Sequence, residues 1–320
     1  MTMGEEQTSK TSNAGEKPRE ILLVPHTGRE ENIAAAARTA EVLGGADIVV
    51  RVLAHHDTRA LDKHPSLRNL PRVTHGPEAA AGCELVLVLG GDGTFLRAAD
   101  LARAQDLPVL GINLGHVGFL AEWEVESLDL AIQRVIDKTY RVEDRMTLDV
   151  TVYDSDDEVI GHNWALNEVS IENLNRRGVL DAILEVDFRP VSSFGCDGVL
   201  ISTPTGSTAY AFSAGGPILW PELDAMLVVL NNAHALFTKP LVVSPHSTVA
   251  VESRSTTSSA MVVFDGFRNI PMPPGSRVEA VTGDRPVRWV RLDDQPFTDR
   301  LVTKLRLPVA GWRGPKPTDR

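Results

Sequence analysis

The stretch "ELVLVLGGDGTFLRAAD" (Glu84–Asp100) predicts the fold of the first half of the chain. Its apolar run, Leu85–Leu89, is uninterrupted, which is typical of a strand buried on both faces of a parallel sheet. After the glycines, Phe95, Leu96 and Ala99 recur at the spacing of one helix face. A buried strand, a tight glycine turn and an amphipathic helix are the first parts of a βαβ unit.

The same alternation of apolar runs and helical patterns extends on both sides of this stretch. Strands are predicted for "EILLVPH", "ADIVVRVL" and "LPVLGINLG", and helices for "ENIAAAARTAEVL" and "VESLDLAIQRVIDK". Right-handed crossovers between such strands give a parallel sheet with helices on both faces. We therefore expect an α/β domain over residues 20–140. Residues 1–19 are polar and rich in Ser, Thr, Gly and Glu, and we expect a disordered lead-in there.

From Tyr140 onward the pattern changes to period-two alternation. Segments such as "MTLDVTVYD" and "STVAVESRS" alternate apolar and polar residues between turn residues, which is typical of antiparallel strands. We expect a β-rich domain over residues 141–290, with one or two helices around "PELDAMLVVLNNAHAL". Residues 291–320 are expected to form a C-terminal segment, helix or strand, that packs back on the first domain.

Composition describes an acidic globular chain. The 320 residues include 32 Lys and Arg against 43 Asp and Glu, a formal charge of −11. That charge argues against broad electrostatic binding to nucleic acid or to an anionic membrane. Two cysteines give no disulfide framework, and the sequence shows neither a membrane-spanning run nor a signal peptide. We expect a cytoplasmic protein in which any anionic ligand binds at a local site.

The glycine turn is the candidate for such a site. In a parallel α/β sheet, ligands bind beyond the carboxyl ends of the strands. There, Gly90, Gly91 and Gly93 would let the backbone approach a phosphate closely. The N–H groups of the turn and of Thr94 would face the anion at a helix N-terminus. Arg97, one turn into the helix, would add positive charge.

Asp92 is the unusual residue of this turn, because a carboxylate repels phosphate at close range. It makes chemical sense as a base that accepts a proton from an attacking hydroxyl, or as a ligand of a divalent cation that bridges phosphates. A structural alternative stays open, in which Asp92 or Thr94 caps the helix. The turn matches neither a P-loop nor the three-glycine dinucleotide fingerprint, and the protein-kinase motifs are absent.

A second group of polar residues lies in the β-rich half. The segment "STPTGSTAYAFSAGGP" (Ser202–Pro217) combines hydroxyls and glycines, and its Tyr210 is able to lie against a base or a sugar. Asn167 and Glu168 offer the donors and acceptors that ribose hydroxyls or an adenine edge require, provided that a strand end brings their side chains together. Ordinary polar surface is the alternative for both segments. The nine histidines show no metal-binding spacing.

Taken together, five motifs resemble the bacterial NAD kinase family. In the family's order they are "LGGDGTFLRAA", "GINLGHVGFLAE", "ALNEVSIE", "GCDGVLISTPTGSTAYAFSAGGP" and "KPLVVSP", and the resemblance extends from about Glu20 to Pro308. "GGDGT" is shared with diacylglycerol and sphingosine kinases, whereas "TPTGSTAY" together with "NEVS" is more specific. The resemblance implies an NAD kinase/diacylglycerol kinase-like fold, with an α/β N-terminal domain that contains a parallel sheet, a β-rich C-terminal domain, and the active site between them.

The resemblance also implies a reaction and its residues. A phosphoryl group would pass from ATP, or in some members polyphosphate, to the 2′-hydroxyl of the adenosine ribose of NAD, giving NADP. Asp92 would be the base, and Mg²⁺ or Mn²⁺ would be bound mainly through the donor phosphates. The phosphate donor would lie at Gly90, Gly91, Gly93 and Thr94. The NAD-binding residues carried over by motif are Asp92, Gly93, Arg97, Phe119, Asn167, Glu168, Asp197, Thr205, Thr208, Ala209, Tyr210 and Ser213.

Family members assemble as dimers or tetramers, so a homodimer or homotetramer is implied, with Asp197 helping to bind NAD at a subunit interface. Some positions depart from the family's pattern. Phe267 replaces a residue that is often polar, Leu120 stands where many relatives have Tyr, and Gly195 removes a side chain that is basic in some. A lipid or sugar-phosphate kinase on the same scaffold is one alternative, but it does not account for "NEVS". The other is a nucleotide sensor without turnover, which the intact Asp92 opposes.

Overall fold

One seven-stranded sheet organises the first half of the chain. The computed structural model describes residues 17–54, 59–113, 118–120, 128–175, 178–255, 258–292 and 294–309. The strands of this sheet are β1 (Glu20–Pro25), β2 (Val49–Ala54), β3 (Arg72–Thr74), β4 (Leu85–Leu89), β5 (Val109–Ile112), β6 (Arg141–Arg145) and β19 (Val287–Arg291). Their order is β3-β2-β1-β4-β5-β19-β6, parallel except for β6. The apolar run that was predicted to be a buried strand is therefore the central strand β4.

Helices cover both faces of this sheet. They are α1 (Glu30–Gly45), α2 (Pro65–Arg68), α3 (Asp92–Ala104) and α4 (Leu128–Ile136). α1 and α4 pack into one hydrophobic cluster with side chains of β1, β2 and β4, whereas α3 packs into a cluster on the opposite face. The parallel sheet with helices on both sides agrees with the alternation seen in the sequence.

Strands from beyond residue 140 complete the first sheet. β6 and β19 both lie in the segment expected to be β-rich, yet they pair with each other and complete the first sheet. Arg19 also belongs to the fold, because its side chain forms an ion pair with Glu84 at 2.6 Å and donates to two carbonyls at the end of α4. Residues 1–16 of the expected lead-in lie outside the described residues.

Two six-stranded sheets form the second half, and every strand pair in them is antiparallel. The first has the order β11-β10-β15-β18-β7-β8, with β7 (Leu148–Tyr153), β8 (Val159–Ala165), β10 (Leu180–Val186), β11 (Arg189–Cys196), β15 (Val249–Ser253) and β18 (Arg277–Thr282). The second has the order β14-β13-β12-β9-β16-β17, with β9 (Glu168–Asn173), β12 (Gly198–Ser202), β13 (Met226–Asn231), β14 (Leu241–Val243), β16 (Ala260–Phe264) and β17 (Arg268–Met272). Apolar side chains of both sheets share one core, as expected for a β-sandwich.

The segment 221–236 contains β13, and the prediction of one or two helices there is wrong. The run "MLVVL" is apolar at every position, so periodicity does not separate a buried helix from a buried strand. β13 lies between β12 and β14 and buries side chains on both faces of its sheet, which suits its two valines.

The C-terminal segment forms the helix α6 (Phe297–Leu305), which contacts both domains. The ring of Phe297 lies 6.3 Å from that of Phe119 in the first domain and 5.3 Å from that of Trp220 in the second. The expectation of packing on the first domain therefore covers only part of the contact. Residues 310–320 lie outside the described residues. Within the described part of the chain, no helix is long and apolar enough to cross a membrane.

Candidate active site

The glycine turn ends β4 and leads directly into α3, with Gly91 as the N-cap. The N-cap residue is a glycine, which has no side chain to cap the helix, and both Asp92 carboxylate oxygens accept hydrogen bonds from the backbone of residues 119 and 120. Among the described residues, and apart from the adjoining turn and helix backbone, no atom lies within 4 Å of the position that a Cβ on Gly91 or Gly93 would occupy, whereas a Cβ on Gly90 would come within 2.9 Å of Thr94 Oγ1. Gly91 and Gly93 thus leave room within the described part of the chain beside the first free N–H groups of a helix.

The Asp92 carboxylate is oriented by the segment that follows the next strand. It accepts hydrogen bonds from the backbone N–H of Phe119 at 3.2 Å and of Leu120 at 3.1 Å, one on each oxygen. Gly118 makes this approach possible, since a Cβ there would lie only 2.2 Å from Asp92 Oδ1. The side chain is therefore fixed, and it remains half-buried rather than enclosed. The neighbouring residues 114–117 and 121–127 of the motif "GINLGHVGFLAE" lie outside the described residues.

The other predicted residues around the turn divide into exposed and buried groups. Arg97 is exposed and lies one helical turn beyond Gly93 on the same face of α3. Phe119 is half-buried and its ring faces Phe297 and the Lys304 ammonium, 5.9 Å away. Leu120 is only 3% exposed, its side chain packs in the hydrophobic cluster that contains Phe95 and Leu96 of α3, and its backbone N–H donates to Asp92.

Asn167 and Glu168 lie at the start of β9, which is the strand end that the sequence required for a shared ligand. Both residues are buried, yet Asn167 Oδ1 and Glu168 Oε2 have no hydrogen-bond partner among the described residues. Leu166, the residue before them, packs in the same cluster as Phe95 and Leu96 of α3. Buried polar atoms are almost always paired in folded proteins, so two adjacent unpaired acceptors indicate a ligand position.

Burial raises the pKa of Glu168 from its ordinary value of 4.5 to about 8, and the nearby Asp265 carboxylate adds to this effect. A hydrogen bond from the Tyr210 backbone N–H opposes it. A carboxyl group with such a pKa is largely protonated at neutral pH and is then able to donate as well as accept.

The hydroxyl-rich loop packs directly on this pair of residues. Thr203 donates through its backbone N–H to the Asn167 carbonyl at 2.9 Å, and the Ser202 hydroxyl donates to the same carbonyl at 3.1 Å. Gly206 is required for the contact, because a Cβ there would lie 2.0 Å from the Asn167 carbonyl oxygen. The loop is therefore part of the Asn167–Glu168 site and not an independent surface segment.

The remaining predicted residues follow along this loop and beside it. Thr205 is buried, Thr208 and Ala209 are half-buried, and Tyr210 and Ser213 are exposed on α5 (Tyr210–Ser213). Asp197 is exposed between β11 and β12 and accepts a hydrogen bond from Asn232 at 2.8 Å. The pKa of the Tyr210 hydroxyl is raised by burial and by the carboxylates of Glu172, Glu168 and Asp197, so these groups face one another.

Asp265 and Arg268, which the sequence analysis did not single out, support the backbone of Asn167 and Glu168. Asp265 accepts backbone hydrogen bonds from Leu166, Asn167 and Glu168, and Arg268 donates to it at 2.8 Å. The available signal was the Asp-Gly pair of "FDGF", which forms the tight turn between β16 and β17 with positive φ at both positions. Phe267 of that turn is half-buried and packs against the hydrophobic cluster that contains Phe95 and Leu96 of α3.

The site thus combines a glycine turn at the end of a central strand with a buried, ligand-ready pair of acceptors on the adjoining β-sandwich. This combination suits a two-domain phosphotransferase that acts on a nucleotide, because helix N-terminal N–H groups bind phosphate and the polar pair offers partners to a nucleoside. The model of the ATP-NAD kinase N-terminal domain matches residues 21–140, and that of the ATP-NAD kinase C-terminal domain matches residues 166–292. The chain belongs to the NAD kinase family, and it is an NAD kinase.

Relatives and solved structures agree with this assignment. The NAD kinase of Corynebacterium efficiens is 76% identical over 297 residues, 93% of each chain. That of Corynebacterium glutamicum is 74% identical over 277 residues, 87% of this chain and 95% of the relative. The fold is similar to that of yeast NADH kinase complexed with NADH, with a TM-score of 0.79 at 20% identity over 95% of this chain and 91% of that one. It is also similar to an NAD kinase from Archaeoglobus fulgidus in complex with ATP, with a TM-score of 0.65 at 23% identity over 90% and 98% of the two chains.

Proposed function

We propose that the enzyme transfers the terminal phosphoryl group of ATP to the 2′-hydroxyl of the adenosine ribose of NAD, with Asp92 as the proton acceptor. The observation that carries this proposal is the pair of buried oxygens, Asn167 Oδ1 and Glu168 Oε2, which have no hydrogen-bond partner within the described part of the chain. A nucleoside with adjacent ribose hydroxyls supplies the donors that such a pair needs. The glycine turn supplies backbone N–H groups for the phosphates of the donor.

In the proposed step, the 2′-oxygen forms a bond to the terminal phosphorus as the bond from that phosphorus to the bridging oxygen of ATP breaks. The hydroxyl proton moves to the Asp92 carboxylate. Backbone N–H groups of Phe119 and Leu120 hold the carboxylate in one orientation, which lowers the reorganisation needed at the moment of transfer. ADP, NADP and the proton held by Asp92 are the products of this step.

A divalent cation, Mg²⁺ or Mn²⁺, fits the donor side of the site only as a partner of phosphate. The described residues contain no group of three or more His, Cys, Asp or Glu side chains placed to hold a metal ion, and Asp92 is the one carboxylate of the glycine turn. A single carboxylate suits Mg²⁺, which keeps several waters and phosphate oxygens as ligands. When bound, the cation would offset the negative charge of the donor phosphates.

On the acceptor side, we assign the adenosine of NAD to the surface formed by Asn167, Glu168, Thr205 and Tyr210. Asn167, Glu168 and Thr205 are buried, whereas Tyr210 is 39% exposed and offers a ring face for stacking. Thr208, Ala209 and Ser213 continue this surface. Gly93 and Arg97 of α3 would approach the adenosine from the first domain, as would Phe119, whose ring packs against Phe297 of α6.

We further propose a cytoplasmic homo-oligomer in which Asp197 faces NAD across a subunit interface, with no nucleic acid or membrane as partner. Asp197 is exposed, and the residues that follow its neighbour Asn232 include Leu236 and Phe237, which are also exposed. Exposed large apolar side chains next to a polar site suit burial against a second copy of the chain. Polyphosphate as an alternative donor requires no residue beyond the glycine turn.

The proposed reaction is tested by incubating the purified chain with NAD, Mg²⁺ and either ATP or polyphosphate, and measuring NADP with an NADP-specific dehydrogenase. NADP formed with ATP supports the proposal, and the second arm determines donor breadth. NAD binding without NADP from either donor would favour the sensor alternative. Sedimentation at micromolar concentration tests the oligomer, and a monomer with full activity would contradict a role for Asp197 across an interface.

A further inference from the structure

A carboxylate–guanidinium–carboxylate chain connects the two halves of the active site. Arg268, at the start of β17, donates to Asp265 Oδ2 at 2.8 Å and to Asp100 Oδ1 at 3.1 Å. Asp265 belongs to the β-sandwich, whereas Asp100 lies on α3, two helical turns after Asp92. The Arg268 side chain is 14% exposed and that of Asp265 only 1%, so these two members of the hydrogen-bonded triad are shielded from water.

At the sandwich end, Asp265 fixes the backbone that carries Asn167 and Glu168. Its two carboxylate oxygens accept the N–H groups of Leu166 at 2.9 Å, Asn167 at 2.7 Å and Glu168 at 3.3 Å. Its own N–H donates to the Glu168 carbonyl at 3.0 Å. These four bonds fix the backbone at the point where β9 begins, and with it the positions from which the Asn167 and Glu168 side chains extend.

At the α3 end, Arg268 is held by several contacts that a flexible ammonium group does not reproduce. Its Nη1 also donates to Asn163 at 3.0 Å, and its guanidinium lies 4.5 Å from the Trp164 ring centroid. The Trp164 indole N–H donates to the same Asp100 oxygen at 3.1 Å. A planar, multidentate guanidinium is suited to this arrangement in a way that lysine is not.

We propose that Asp265 and Arg268 are positioning residues that hold the nucleoside-binding pair Asn167–Glu168 in register with Asp92 on α3. Neither residue needs to touch NAD or ATP. The proposal rests on the function given above, because it assigns to these residues the alignment of acceptor hydroxyl and base. Misalignment of reacting groups by about 1 Å costs as much as ~100-fold in rate.

The first test is Arg268→Lys, with Arg277→Lys as the matched control. Arg277 has a similar exposure of 17% and bonds Glu185 and Glu279 at 2.8 Å, but it bridges strands of the sandwich away from the site. Steady-state kinetics and NAD affinity by calorimetry are measured for both variants, with thermal midpoints. We expect kcat to fall ~10- to 100-fold in Arg268→Lys at matched stability, with little change in Arg277→Lys. Equal kinetic losses in the two variants would overturn the proposal.

The second test uses the pH dependence of NAD binding to distinguish the Asp265 end of this hydrogen-bonded triad from its Asp100 end. Glu168 is faced by the Asp265 carboxylate from the β16–β17 turn and by the Tyr210 N–H from α5, and Arg268 lies behind Asp265. Asp265→Asn removes the like charge, so the pH at which Glu168 titrates should move toward acid. Asp100→Ala removes the oxygen that accepts from both Arg268 and Trp164, so it breaks the bridge to α3 and should lower kcat without moving that pH. The readout is NAD affinity from pH 6 to 9, measured by calorimetry and independent of turnover.

An unmoved titration in Asp265→Asn would contradict the placement of the Asp265 carboxylate against Glu168, and a normal kcat in Asp100→Ala would contradict the proposed positioning role. Wild-type enzyme in the same assays distinguishes this failure from failure of the proposed function. If the wild type forms NADP and the variants behave like Arg277→Lys, only the positioning role is lost. If the wild type forms no NADP, the proposed function itself is wrong.

Discussion

The raised pKa of Glu168 predicts that Glu168→Gln changes how stability depends on pH. In the folded state burial keeps this carboxyl protonated up to pH about 8, whereas in the unfolded chain it ionises near 4.5. Between these values the unfolded state binds fewer protons, so stability falls as pH rises toward 8 and then levels off. At 1.36 kcal/mol per pKa unit, wild type loses roughly 2–3 kcal/mol through this group between pH 6 and pH 9. Gln has no such loss.

The assay is the thermal unfolding midpoint of wild type and Glu168→Gln at both pH values in matched buffers. For a chain of this size about 2 °C corresponds to 1 kcal/mol, so the wild-type midpoint should drop about 5 °C further than that of the variant. Asn167→Ser is the control, since it alters the neighbouring side chain and should keep the wild-type pH dependence. The same pH dependence in Glu168→Gln as in wild type would refute the reasoning, because Glu168 would then not be a buried neutral acid.

Three further substitutions have expected outcomes. Gly206→Ala should destabilise the fold by at least ~2 kcal/mol, because its Cβ would overlap the Asn167 carbonyl, and an unchanged unfolding midpoint would contradict that contact. Gly93→Ala should fold normally and raise the KM for ATP at least ~10-fold, because its methyl group would occupy the space for the phosphates. Gly44→Ala in α1 is the control, since among the described residues a Cβ there also meets no atom within 4 Å. The same KM for ATP in both variants would contradict the phosphate-binding role of the turn. Phe297→Ala should raise the KM for NAD more than it lowers kcat, because the Phe297 ring packs against that of Phe119. An unchanged KM for NAD in steady-state kinetics would show that NAD binding does not depend on this contact.

Features encoded by local patterns were predictable from the sequence. The run Leu85–Leu89 and the glycine turn predicted a buried strand followed by a helix, and the structure has both. The pair Asn167–Glu168 was recognisable as polar, but only the structure shows that both residues are buried and that Asn167 Oδ1 and Glu168 Oε2 have no hydrogen-bond partner among the described residues. Local sequence determines these elements because burial and backbone conformation are set within a few residues.

Features that depend on distant partners were not predictable. β6 and β19 are about 140 residues apart, and nothing in either strand specifies that it pairs with the other in the first sheet. The apolar run of β13 fits a helix as well as a strand until its neighbours β12 and β14 are known. The role of Asp265 likewise becomes visible only when the β16–β17 turn is placed against residues 166–168. These features depend on contacts between residues that are far apart in the sequence, and a single sequence does not reveal such contacts.

The central claim is that Asp92 accepts the proton of the attacking hydroxyl. The most direct measurement is NADP formation by Asp92→Asn with saturating NAD, ATP and Mg²⁺, together with NAD affinity by calorimetry. The amide keeps an oxygen for one of the two backbone N–H groups, so the fold and NAD binding should persist while kcat falls ~10²- to 10⁴-fold. Turnover within a few-fold of wild type, with NAD binding intact, would contradict the claim.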